Sequence, residues 1–195
     1  MKEISEYEKD LASIRSMMER SVKFISLSGL AGVMAGIYAL AGAAYAYRVI
    51  YVDQAEARQS LLIDAMIVLA LSLSTGYFFS MRKAKRAGVP VWGPASWMML
   101  HDISFPLFSG GALILVMLSE GYYGLIAPSC LIFYGLALIA GGRHTFEVIR
   151  YLGASEIVLG LICALYPEYG LLAWAAGFGV LHIIYGVIMH FRYDR

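Results

Sequence analysis

Charge is what this sequence has least of. Only 15% of its 195 residues are Asp, Glu, Lys or Arg, against roughly 25% in an ordinary soluble domain. That scarcity excludes disordered and acidic tails and most soluble enzymes. The formal net charge of +1 supplies no basic face of the kind nucleic acid requires, so nucleic acid is not an expected partner. Two cysteines, Cys130 and Cys163, cannot frame a disulfide scaffold and read as buried inert thiols. Strand-like alternation is missing as well, which argues against a membrane β-barrel. Neither HExxH nor HxxxH occurs around the four histidines, so the spacing that marks helical zinc enzymes is absent.

Apolar residues fill the space, at 60% of the chain. A membrane helix needs about 20 mostly apolar residues to cross roughly 30 Å of hydrocarbon. Six stretches meet that requirement, near residues 24–47, 60–80, 98–118, 122–140, 147–166 and 169–190. The expected fold is therefore all-α: a polytopic bundle of six transmembrane helices over 24–195, preceded by a short cytoplasmic amphipathic helix over 1–23. No cleavable signal is expected, because the start is rich in acids and the first apolar run is too long.

Loop charges give the bundle a sidedness. Of the 15 Lys and Arg residues, only Arg48 and Arg58 fall on one side. The other side takes the N-terminal segment, the Arg82, Lys83, Lys85 and Arg86 cluster, Arg143, Arg150, Arg192 and Arg195. Basic residues concentrate on the cytoplasmic face, so both termini are expected there, in a bacterial inner membrane. Trp92 and Trp97 bracket a loop that Pro90 and Pro94 should keep stiff and non-helical. His144 and His190 fall at the same inner boundary, as interfacial anchors.

In the N-terminal segment Ile4, Tyr7, Leu11, Ile14 and Met18 follow a heptad seam, with Ser5 and Glu8 placed as a capping box. A stem packed on its own protein and a helix that binds a cytoplasmic partner both fit. Span one carries a ridge of small residues, Ser28, Gly32 and Gly36, beside Ala31, Ala35, Ala39 and Ala43. Such ridges let helices approach closely, within the bundle or at a homo-oligomer seam. Pro106 and Gly110-Gly111 point to a kink or local unwinding in span three.

Ionisable groups at membrane depth are costly, and each is a functional hypothesis. Asp64 lies about 6 Å from the outer start of its span, and His101 and Asp102 about 5 Å from the inner start of theirs, at 1.5 Å per residue. Glu156 and His182 lie about 14 Å and 12 Å from the inner ends of consecutive antiparallel helices. Their depths match, so they can touch and share a proton. Tyr185, on the same span as His182, is grouped with them. A purely structural role, with each group hydrogen-bonded inside the bundle, fits the same residues. Hydroxyls at Ser26, Ser28, Ser72, Ser74, Thr75, Ser104 and Ser109 either line a polar path or bond across helices.

Ile14 through Ser21 running into Phe24 through Leu30, and Gly177-Phe178-Gly179-Val180-Leu181-His182-Ile183-Ile184-Tyr185-Gly186, together resemble an uncharacterised family of bacterial six-span integral membrane proteins. That resemblance implies no mechanism. A weaker likeness to the HdeD-like six-span proteins rests on size and on helix–Pro–helix hairpins. The leading expectation is passage or coupling of a small solute or proton at a mid-membrane polar site. A non-catalytic sensor or scaffold acting through the N-terminal helix is the alternative. A membrane-embedded metal-dependent hydrolase, using His101, Asp102, His144 and His182 around zinc, is the third. No metal or cofactor is expected, and a non-enzymatic role is favoured. Membrane lipid is the expected surrounding.

Overall fold

The computed structural model describes residues 27–51 and 57–194. The N-terminal amphipathic segment, with its heptad seam and with Ser26, lies outside the described residues. Every regular element within them is helical. Helix α1 spans Gly29–Tyr51, α2 Ala57–Ala87, α3 Pro94–Glu120, α4 Ile126–Gly141 and α5 Glu147–Leu165. The sixth span is composite: α6, Gly170–Trp174, a π-helical stretch Ala175–Leu181, and α7, His182–Tyr193. Six segments of this set are long and apolar enough to cross a membrane, and the chain is a multi-pass membrane protein.

The helices overrun the apolar stretches that the sequence marks. Helix α2 continues from Ala57 to Ala87 because residues such as Lys83 and Lys85 are good helix formers with no breaker among them. It stops where Gly88 takes a left-handed φ of 66° and the Val89 N–H reaches back to Ala84 O at 3.1 Å, a closure that glycine makes cheap. Pro94 does not hold the chain out of a helix; it opens α3 at the first turn, where its missing N–H costs nothing. The Ser96 hydroxyl braces that start, accepting from Gly93 N at 2.7 Å and donating to Gly93 O at 2.8 Å. Nor does α3 unwind at Pro106 or Gly110-Gly111: it remains α-helical through both. Gly121, at φ 79°, ends it.

Span six is the centre of the arrangement. It packs against α1 on one side and against α4 and α5 on the other. Helix α2 adds to α1, and α3 adds to α4. Helices α2 and α3 are thus the outer members, and almost none of their apolar segments is buried. Their large side chains point outward, as with Phe105 and Phe108, both 79% exposed. Outside a bilayer such surfaces would aggregate; within one they meet hydrocarbon.

The interior is built from small residues. A Cβ on Gly36 would stand 2.6 Å from Gly179 O, and one on Gly186 2.6 Å from Val33 N. The Gly32 and Gly36 face of α1 therefore lies against span six of the same chain. Gly135 and Gly153 make the equivalent contact between α4 and α5, each with its missing Cβ 2.6 Å from the other's carbonyl oxygen. Close backbone approach replaces hydrophobic driving force where the surroundings are as apolar as the side chains. A small cluster around Leu131, Cys163 and Ala173 fills the remaining space.

Candidate functional site

Two polar sites emerge within these helices, one at mid-depth and one at the end of the bundle where α1 begins and α7 finishes. At mid-depth, α5 presents Glu156, wholly buried, towards span six. His182 stands at the junction of the π-helical stretch and α7, and its Nδ1 is 3.5 Å from Glu156 Oε1. The equal depths read from the sequence thus become a contact. His182 Nδ1 also lies 3.0 Å from Gly177 O, and its Nε2 lies 2.8 Å from Tyr134 Oη on α4. In the neutral ring this network puts the proton on Nδ1, donated to Gly177 O, while Nε2 accepts from the Tyr134 hydroxyl. Phe178 packs beside both rings, tilted against Tyr134 at 4.9 Å and stacked on His182 at 5.9 Å, and supports the imidazole plane.

The π-helical stretch explains this placement. One extra residue per turn releases a backbone carbonyl from the helix ladder, and the Gly177 carbonyl takes the ring N–H. Gly177 also gives Glu156 its space: an added Cβ would collide with Oε2. Neither carboxyl oxygen of Glu156 has a hydrogen-bond partner. A buried polar atom left unpaired costs roughly 1–3 kcal/mol, and more when charged. Ser80, Ser129, Thr145 and His182 are buried as well, but only the Glu156 oxygens are buried side-chain atoms without a partner among the described residues.

The other expected site residues stand apart from this pair. Asp102 accepts from His144 Nε2 at 2.9 Å and is 3.3 Å from His101 Nδ1. His144 is therefore an inter-helix partner for α3, where a free interfacial anchor was expected. Asp64 rests on α1, with its carboxylate 3.2 Å from the position a Gly42 Cβ would take. Tyr185 Oη lies 3.2 Å from Ser155 Oγ, one residue from Glu156 along α5. Among the described residues no group of three or more His, Cys, Asp or Glu could hold a metal ion. Thr75, Ser104 and Ser109 donate to carbonyls of their own helices. A helical hydroxyl reaches the preceding turn most easily; Ser104 and Ser109 also line a cavity with His101, Phe105 and Phe108.

The second site escaped the sequence reading. Asp194, just past α7, has a nearly buried carboxylate with four donors around it. Its Oδ2 accepts from Gly29 N at 2.9 Å, Ser28 Oγ at 3.1 Å and His190 Nδ1 at 3.1 Å. Its Oδ1 accepts from Lys83 Nζ at 2.7 Å. Lys83 in turn donates to Leu27 O at 2.9 Å and lies over the Phe146 ring at 4.9 Å, which stacks on Tyr193. The carboxylate caps the N-terminus of α1 from the far end of the chain, satisfying a free N–H and favoured by the helix dipole. This latch ties α1, α2 and α7 together. Burial alone would raise the Asp194 carboxyl. The bonds from Lys83, His190 and the Gly29 N–H, with the Lys83 charge, outweigh it and hold the group below its ordinary value.

No protein-family model matches the chain, and neither does any curated protein or solved structure.

Proposed function

We propose that this protein binds and passes protons at mid-membrane depth through Glu156, His182 and Tyr134. The single observation behind this reading is Glu156: wholly buried, with both oxygens unpartnered, and 3.5 Å from a histidine. One proton held between Glu156 and His182 leaves the site neutral, which is the condition for a polar group removed from water. The imidazole joins two partners through different nitrogens, Glu156 at Nδ1 and Tyr134 at Nε2. Gain of a proton on one nitrogen and loss from the other moves charge across the ring, the ordinary chemistry of a histidine shuttle.

The sidedness of lysine and arginine supports placing both termini in the cytoplasm of a bacterial inner membrane. A sensor or scaffold role through the N-terminal segment is the other reading; its residues lie outside those described.

Purified protein in sealed vesicles, with a pH-reporting dye inside, tests the proposal. An imposed potential should drive proton entry in the wild type, and Glu156→Gln and His182→Gln should abolish it. Infrared difference spectra after a pH jump should contain a carboxylic C=O band that Glu156→Gln removes. Equal proton entry in wild-type and Glu156→Gln vesicles, with both proteins folded, overturns the reading.

A further inference from the structure

The basic cluster at the end of α2 divides by face. Lys83 turns inward to Asp194. Arg82, Lys85 and Arg86 turn outward, all exposed, and none of the three has a carboxylate partner among the described residues. They fall at i, i+3 and i+4, which puts them on one helical face. Phe78 and Met81 lie on the same face one turn nearer the membrane centre, and all five line a groove of about 400 Å³. Phe78 is 59% exposed, so the apolar end of the groove is as open as the basic end.

Depth is fixed independently. Trp92 and Trp97, 53% and 61% exposed with rings 5.5 Å apart, follow within a few residues, at the same end of the bundle. Exposed tryptophans settle at the headgroup level. The groove therefore runs from headgroups into hydrocarbon, on an outer helix whose main packing partner among the described residues is α1.

We propose that this groove is a binding site for an anionic phospholipid. The phosphate sits among Arg82, Lys85 and Arg86, and an acyl chain lies along Phe78 and Met81. Three cations with no carboxylate partner among the described residues favour negative charge, two of them are arginines suited to paired bonds with phosphate oxygens, and the adjoining apolar wall suits a lipid tail.

Full-length protein in mild detergent is titrated with phosphatidylglycerol and, separately, phosphatidylcholine, with bound lipid counted by native mass spectrometry. The wild type should retain phosphatidylglycerol in preference. The triple variant R82Q/K85Q/R86Q should bind it roughly a hundredfold more weakly, from about fivefold per basic residue. Arg192→Gln, which removes an exposed cation on another span, should change nothing. Should the triple variant fail to fold, the single variants R82Q and R86Q carry the same comparison. Equal retention by wild type and variants overturns the proposal. So does an equal loss in Arg192→Gln, the mark of diffuse attraction. Displacement of the lipid by inorganic phosphate at the same concentration would assign the groove to a free anion and also overturn it. A wild type without preference for the anionic lipid overturns it too.

Discussion

Replacing Asp194 with alanine should loosen three helices at once. The substitution strips an acceptor from Lys83 Nζ, Gly29 N, Ser28 Oγ and His190 Nδ1. It also leaves the Lys83 ammonium, whose side chain is 19% exposed, without its counter-charge. Removing one member of a buried pair costs about 3–5 kcal/mol. Partial exposure of Lys83 puts the expected loss near the lower end, about 3 kcal/mol. At roughly 2–4 °C per kcal/mol for a chain of this size, the unfolding midpoint should fall by about 10 °C. Asp194→Asn keeps an acceptor oxygen and should lose about half as much, since hydrogen bonds to charged groups are worth about 1.5–3 kcal/mol and neutral ones about 1. The assay is thermal unfolding in a fixed detergent, run as a double-mutant cycle with Lys83→Ala. A coupling energy above about 1 kcal/mol is expected for directly bonded residues. Additive effects within about 0.5 kcal/mol would refute the latch. Acid supplies a second check. A carboxyl depressed by folding stabilises the native state above its unfolded value, and that contribution is lost as pH falls through the folded value. Asp194 is held below its ordinary range, so the latch should stay closed at neutral pH and open only below about pH 4.

Glycine contacts give a graded test. A Cβ on Gly32 would sit 3.2 Å from Gly186 Cα, whereas one on Gly36 would meet Gly179 O at 2.6 Å. Gly32→Ala should be nearly neutral and Gly36→Ala should cost about 1–3 kcal/mol by overpacking, read from unfolding midpoints in the same detergent. His144→Ala should cost about 1 kcal/mol, because it removes the 2.9 Å bond to Asp102. Asp102→Asn combined with it should add little, and full additivity would show that the bond contributes nothing.

Apolar run length carried the architecture, because hydrocarbon admits few alternatives. The Glu156–His182 contact was legible too, since a tight turn fixes the relative depths of two antiparallel helices. Tyr134 was not. Nothing in α4 alone shows that its hydroxyl reaches His182 across the bundle. A hydroxyl at matching depth in an otherwise apolar span was the available signal. Asp194 and Lys83 were missed for another reason. Both fall outside the hydrocarbon, where charge is ordinary and only its sign was counted, and their pairing depends on how α2 and α7 come together. The π-helical stretch was hidden because Ala175-Ala176-Gly177-Phe178-Gly179 looks like any small-residue segment. At Pro106 the expected local unwinding does not occur, and α3 continues as an α-helix through it.

The central place of span six bears on how the protein is made. Helices enter the bilayer in chain order, yet α1 has its glycine face against a span that emerges only after α3, α4 and α5. Until then the α1–α2 hairpin waits with that face open to lipid. Waiting is tolerable, because lipid tails satisfy small apolar residues nearly as well as a neighbouring helix does. What the hairpin lacks in the interval is the cap on Gly29 and the counter-charge for Lys83, both supplied by Asp194. Chains interrupted before span six therefore present an uncapped helix and an unpaired ammonium at one membrane surface. Those are features by which a membrane protease can tell an unfinished chain from a finished one.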